Sequence, residues 1–282
     1  MKHLLVVILA ALAAGLAASA VTAQGAFAAP HRIVSLSPTA TETLFAIGAG
    51  KQVIAVDDQS DYPKTAPKTT LSGFTPNVEA IAAYRPDLVV ISYSPKGLAE
   101  ALAKAKIRVL LQEPANTFAQ VYAQMVALGR ITGHAAAAKA LVSRMKTRIT
   151  KLVKAAPKRS ASVYDELTPD FYSATSSSII GVVLKLFSLR NIADAANTSG
   201  AGAVQLSAEF IVSSSPDLIV LADTRCCGVS RATAAARPGW STITAVKRGA
   251  IAVIDDSIAS RWGPRLVNFV NAVSSALRTT LK

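Results

Sequence analysis

The sequence predicts an α/β protein of two similar lobes joined by a single long connector helix, with a ligand cleft between the lobes. Two observations carry this. The first is an internal repeat: Glu79-Ala80-Ile81-Ala82-Ala83-Tyr84-Arg85-Pro86-Asp87-Leu88-Val89-Val90 returns 130 residues later as Glu209-Phe210-Ile211-Val212-Ser213-Ser214-Ser215-Pro216-Asp217-Leu218-Ile219-Val220. Each copy reads as a short helix stopped by proline and followed at once by an apolar, β-branched run. A strand without polar alternation is buried on both faces, as in a parallel sheet. Copies this far apart suit two lobes, each with its own sheet, rather than a solenoid. The second observation is an amphipathic stretch midway between them, about Ala135 to Lys154, with Leu141, Val142, Met145, Ile149, Leu152 and Val153 on one stripe.

The organisation that follows is a leader at 1–28, a first α/β lobe at 29–133, the connector at 134–156 and a second α/β lobe at 157–282. Leu4 to Ala20 is apolar after the basic Lys2, and Ala26-Phe27-Ala28 offers a small-residue cleavage site, so the segment reads as a cleavable secretory signal. A retained anchor is the rival reading, and no later segment is apolar for long enough to span a membrane. The two cysteines lie far from this region, which argues against lipid attachment there. A periplasmic location is expected.

Of the 282 residues 51% are hydrophobic and 17% charged, which supports well-filled cores. The net charge of +13 raises the question of nucleic acid. The densest basic run, Lys139 to Arg159, nevertheless interleaves with apolar residues and reads as a solvated helix face, and export makes nucleic acid a poor partner.

In chain order, Arg32 to Leu36 reads as a strand, turned by Ser37-Pro38-Thr39 into a helix at about Ala40 to Ile47 that Gly48 and Gly50 close. Val53 to Val56 is a strand, the Asp- and Pro-rich 57–68 a loop, and Leu71 to Phe74 precedes the first repeat copy. Residues 97–105 and Phe118 to Leu128 read as helices flanking a strand at Arg108 to Leu111. After Pro157, strands are expected at Ala161 to Tyr164, Leu218 to Leu221 and Ala250 to Ile254. Helices are expected at Ile179 to Phe187, Glu209 to Ser214 and Leu266 to Leu277, with Ala195 to Val204 a mobile or ligand-facing loop.

The run Arg32-Ile33-Val34-Ser35-Leu36-Ser37-Pro38-Thr39-Ala40-Thr41-Glu42, the loop Ser60-Asp61-Tyr62-Pro63, the element Asn77 to Ile81 with Pro86 to Val90, and Pro264-Arg265 resemble the periplasmic binding proteins of cobalamin, ferric-siderophore and haem ABC importers. Among these the sequence is most similar to the cobalamin (vitamin B12) members. The resemblance covers nearly all of the chain after the leader. It implies two lobes on one rigid helix, a ligand in the cleft and delivery to an ABC transporter permease dimer. It also implies that Glu79 and Glu209, matching glutamates on the two lobes, dock against transporter arginines. Each also suits the first turn of a helix on its own account, with Thr75 and Ser207 as candidate N-caps.

Loops at the carboxyl ends of parallel strands line the ligand cleft in such folds. Here they bring up Tyr62, Tyr93, Glu166, Phe171, Tyr172, Cys226, Cys227, Arg261 and Trp262 as the candidate ligand-binding set. Flat aromatic walls with few polar groups suit a large macrocycle, although any one of these aromatics also suits core packing. Cys226-Cys227 reads as a vicinal disulfide, as two thiolates for a soft metal, or as a pair of small apolar side chains. Neither they nor Arg261-Trp262 belong to the shared pattern, so the ligand of this chain can differ from cobalamin. His31 and His134 are poorly placed as haem ligands, whereas tyrosine can serve.

No nucleophile elbow, phosphate loop or Cys/His pair supports an enzyme, and the carboxylates Asp165 and Glu166 alone do not make one. The expected function is capture of a cobalamin-like corrinoid by a monomer with no resident cofactor or metal. A ferric siderophore or haem is the alternative ligand, to which Arg261, Arg265 and the basic surface would suit an anionic chelate. A metal-cluster or redox protein built on Cys226-Cys227 is the alternative from another class.

Overall fold

The computed structural model describes residues 28–157 and 160–280, so the expected leader lies outside the described residues except for Ala28. The first half alternates β1 (Ile33–Leu36), α1 (Pro38–Ala46), β2 (Val53–Val56), α2 (Val78–Ala83), β3 (Leu88–Ile91), α3 (Leu98–Lys104), β4 (Arg108–Leu111) and α4 (Phe118–Ile131). The long helix α5 (Ala135–Ala155) follows. The second half runs β5 (Ala161–Glu166), β6 (Tyr172–Ala174), α6 (Ile179–Lys185), β7 (Leu189–Asn191), β8 (Ala203–Gln205), α7 (Ala208–Ser214) and β9 (Leu218–Leu221). It ends with α8 (Thr224–Cys227), α9 (Arg231–Ala235), α10 (Thr244–Lys247), β10 (Ile251–Val253), α11 (Asp256–Ala259) and α12 (Leu266–Thr280).

Two four-stranded sheets result, ordered β2-β1-β3-β4 and β10-β9-β5-β7. Every pairing within them is parallel. Read from the opposite edge, the second is β7-β5-β9-β10, which is the first sheet's connectivity over again. The two repeat copies fill matching places, α2 with β3 and α7 with β9. Both repeat strands are fully buried, as their unbroken apolar runs require.

The repeat also has a local cause. Arg85 (φ 48°) and Ser215 (φ 40°), at equivalent positions, turn the chain out of its helix in the left-handed region. The aspartate two residues on then anchors the first strand of its own sheet. Asp87 accepts from the backbone N–H groups of His31 at 2.8 Å and Arg32 at 3.0 Å. Asp217 accepts from the N–H and the hydroxyl of Ser162, both at 2.9 Å.

Helix α5 buries Ala138, Leu141, Val142, Met145, Ile149 and Leu152. It packs along α4 and α12, and a hydroxyl bond from Ser274 to the Leu152 carbonyl (2.9 Å) ties it to α12. Gly129 permits the close α4–α5 crossing, since a Cβ there would overlap Ala138. Among the described residues no helix is long and apolar enough to cross a membrane.

The segment 195–204, expected as a loop, carries local structure of its own. Asn197 bridges to Ala201 through its side-chain oxygen (3.0 Å) and amide (2.9 Å), and Ala203 begins β8, which pairs antiparallel with β6.

Candidate functional site

The carboxyl ends of the two sheets are joined by side chains that reach from the second half of the chain to the first. Arg261 donates to Glu42 (2.9 Å), to Asp61 (2.7 Å) and to the Gln59 carbonyl (2.8 Å). Arg265 donates to the same Glu42 oxygen at 2.6 Å and lays its guanidinium over the Tyr62 ring at 4.5 Å. Trp262 donates its indole N–H to Gln124 on α4 at 2.9 Å. At the outer end Arg225 lies 3.3 Å from both Asp61 and Asp255. Burial would raise the Asp61 carboxyl, but Arg261 and Arg225 outweigh it and hold the group below the usual range.

This line is fixed by elements that follow β1, β2, β9 and β10. Ser37 caps α1 by accepting from Ala40 N–H, which aims Glu42 inward, where it is 1% exposed. In α8 the Asp256 carboxylate accepts from the N–H of Arg225 (3.3 Å) and of Cys226 (3.0 Å). Cys226 and Cys227 are joined as a disulfide on this exposed turn, so neither sulfur stands free as a thiolate.

The candidate residues fall into three places. Tyr62, Arg261 and Trp262 sit in the line between the sheets, and the Cys226–Cys227 turn adjoins it through Arg225. Tyr93 (56% exposed) and Tyr172 (41%) present open ring faces on the loop after β3 and at the start of β6. Tyr93 makes no hydrogen bond or ring contact among the described residues.

Glu166 and Phe171 belong elsewhere. Glu166 is not a loop residue but closes β5, fully buried, with both oxygens accepting from Arg237 at 2.6 Å. Arg237 in turn stacks on Phe171 (5.3 Å) and Trp240 (4.5 Å), so this glutamate is committed to an interior ion pair. Arg261, expected on the cleft surface, is likewise buried and committed to its partners.

Beside Glu166 lie Asp165 and Asp223, fully buried, with all four carboxylate oxygens unpartnered. Burial pushes Asp165 up to about 8, and repulsion from Glu166 and Asp223 adds to it. Asp223 is pushed up to about 7 by burial and then by Glu166. Among the described residues no group of three or more His, Cys, Asp or Glu is arranged to hold a metal ion.

Glu79 and Glu209 are exposed in the first turns of α2 and α7. Ser207 caps α7 as expected, but the cap of α2 is Asn77, not Thr75, accepting from Ala80 N–H at 2.8 Å. Asn77 and Ser207 are also equivalent in the repeat. The Glu209 carboxyl is held below its usual range by its own backbone N–H and then by Ser207.

Sequence reasoning missed Glu42, Asp61, Gln124 and Arg225, whose partners are distant in the chain. It also missed Phe74, at 75% the most exposed large apolar side chain among the described residues. Its setting, Gly73-Phe74-Thr75-Pro76, was a usable signal, because an aromatic ring in a Gly/Pro loop has little core to enter. A cavity of about 430 Å³ at the carboxyl end of β4, lined by Leu110, Gln112, Glu113, Gln120 and Gln124, adjoins the Trp262 contact.

A model of the family described as "Periplasmic binding protein" matches residues 33–258. The chain belongs to this family. It is one of solute-binding proteins rather than enzymes, and the matched span takes in both sheets and α5. This periplasmic binding protein is 32% identical over 259 residues to an ABC transporter substrate-binding lipoprotein of Bacillus subtilis, covering 88% of this chain and 80% of that one. It is 30% identical over 267 residues to a cobalamin-binding protein of Halobacterium salinarum, covering 89% and 70%. Among solved structures, the periplasmic haem-binding protein RhuT of Roseiflexus in apo form shares the two-lobed fold, with TM-score 0.77 and 20% identity over 89% of this chain and 99% of that one.

Proposed function

We propose that this periplasmic binding protein captures a cobalamin-like corrinoid between its two sheets and delivers it to the permease dimer of an ABC importer. The observation that carries the ligand class is the set of exposed aromatic rings on the carboxyl side of the sheets, Tyr93 and Tyr172 open and Tyr62 with Arg265 over one face. A broad macrocycle is held by flat apolar contact with few polar groups. The name of the Halobacterium relative supports the corrinoid in particular. Residues 1–28 serve as the export signal, 29–133 and 157–282 as the lobes, and 134–156 as the connector, with the protein acting as a monomer in the periplasm.

Glu79 and Glu209 fit the docking role: both are exposed, both occupy the same place in their lobes, and neither enters an ion pair among the described residues. Two separated acidic knobs fix orientation on a partner, each contributing modestly to affinity.

A second reading keeps the role and changes the cargo to haem or a ferric chelate. The exposed phenol of Tyr62 beside Arg265 favours it, since tyrosine ligates iron and guanidinium pairs with carboxylates. Calorimetric titration with cyanocobalamin, haemin and a ferric siderophore decides the matter. One-to-one binding of cobalamin alone is expected; binding of haemin or the siderophore alone replaces the cargo, and binding of none sinks the transport reading.

A further inference from the structure

The acidic residues of this chain are distributed unevenly. No Asp or Glu occurs between Glu113 and Asp165, or after Asp256. The layer formed by α4, α5 and α12 therefore carries basic residues only: Arg130, Lys139, Arg144, Lys146, Arg148, Lys151, Lys154 and Arg278. On α5 all six cations are exposed, and none forms an ion pair among the described residues.

An ordinary solvated helix mixes both signs, and opposite charges three or four residues apart support it. Here Arg144 with Arg148, Arg148 with Lys151, and Lys151 with Lys154 place like charges at those spacings. Such pairs work against the helix. Only Lys154 has a local reason to be there, near the helix C-terminus.

We infer that the exposed face of α5 adsorbs to an anionic phospholipid surface. The face is the exposed side of a single helix, about 30 Å long at its 21 residues. Its cations spread over the whole width of that side, Lys139 and Arg148 at its two edges with Arg144, Lys151 and Lys154 between them, a broad basic surface to set against phosphate headgroups. None of the exposed large apolar side chains lies on α4, α5 or α12. Adsorption is therefore electrostatic, at headgroup level and without insertion, and the ring that borders this face, Tyr122 on α4, is half-buried and lies under the Lys146 ammonium at 5.0 Å rather than open to a nucleobase. Each basic side chain near such a surface raises partition by roughly fivefold, so Lys139, Arg144, Arg148, Lys151 and Lys154 together give roughly a three-thousandfold preference over a neutral bilayer.

The test is co-sedimentation with vesicles of phosphatidylcholine containing about 30% phosphatidylglycerol, against pure phosphatidylcholine. The protein used begins at Ala28, which retains every described element, so the apolar leader does not contribute. Binding to the anionic vesicles alone is expected, lost between about 0.05 M and 0.5 M salt as screening shortens. The triple variant Arg144→Glu, Arg148→Glu, Lys151→Glu should bind at least about 100-fold more weakly. A control with the same net charge, Lys64→Glu, Lys96→Glu, Lys185→Glu, changes exposed lysines elsewhere and should stay within a few-fold of wild type. Equal losses in the two variants, equal binding to both vesicle types, or tighter binding to duplex DNA than to anionic vesicles would each overturn the inference. The salt and lipid dependence of the unmodified protein test it even where a variant fails to fold.

Discussion

Arg261 reaches across from the second half of the chain to Glu42, at 2.9 Å, with 10% and 1% of the two side chains exposed. The pair is shared with Asp61 and Arg265, so two arginines and two carboxylates hold the lobes together beside the ligand cleft. Removing one member leaves a partner charged and buried.

Arg261→Ala should therefore destabilise the protein by about 3–5 kcal/mol, read as a lower urea midpoint. Arg261→Lys should recover little of it, because a single ammonium does not replace a fork that meets Glu42, Asp61 and the Gln59 carbonyl together. Equal stability of Arg261→Ala and wild type would show that the pairing does not hold the lobes.

The carboxyls of Asp165 and Asp223 titrate higher in the fold, at about 8 and about 7, than their ordinary value of 3.8. Between those limits the native state binds more protons than the unfolded chain, so this contribution to stability is present at low pH and declines as pH rises through the folded values. The melting temperature should fall from pH 6 to pH 9, an interval that brackets the folded titrations. Asp165→Asn should flatten the decline and raise melting at the upper end by at least about 3 °C. A melting temperature that rises across the interval, or an unchanged slope in the variant, contradicts this.

Tyr93→Ala and Tyr172→Ala remove exposed rings and should leave thermal stability within about 1 °C. Ligand affinity should drop by about tenfold or more for each, the scale of a lost flat apolar contact. Unchanged affinity for both places the ligand elsewhere. Trp262→Ala differs from them: it should weaken binding and stability together, because its indole also ties Gln124 across the lobes.

Reversing both docking candidates, as Glu79→Lys with Glu209→Lys, should abolish uptake in cells while ligand affinity in solution stays within about twofold. Loss of affinity instead would return these residues to a structural role.

Asp87→Ala and Asp217→Ala should each cost about 1–3 kcal/mol by leaving strand-start N–H groups without their acceptor. Chemical denaturation reads this directly. An effect at only one of the two sites would mean that the repeat is not energetically symmetric.

Much of the fold was legible because it is written locally. A buried parallel strand needs an unbroken apolar run, and Leu88 to Val90 and Leu218 to Val220 show one. The helix α5 shows its stripe from Leu141 to Val153. What escaped has little local pattern: β6, β7 and β8 are three residues each, and α8 to α11 are single turns.

The site was less legible for the same reason. Tyr62, Tyr93 and Tyr172 follow from their place at strand ends. Glu166 did not, because Asp165-Glu166 looks like the polar end of a strand. Only Arg237, 71 residues away, makes a buried glutamate tenable there. Phe171 goes with it, drawn inward by the same arginine.

The matching connectivity of the two sheets has a further consequence. A single chain that repeats its sheet connectivity presents the same local setting twice, with Glu79 in one copy and Glu209 in the other. Such a molecule can meet a twofold-symmetric partner without pairing with itself, and either way round gives nearly the same contact. The small inequalities between the halves, such as Asn77 against Ser207 and Arg85 against Ser215, are then the features by which a partner would tell one orientation from the other.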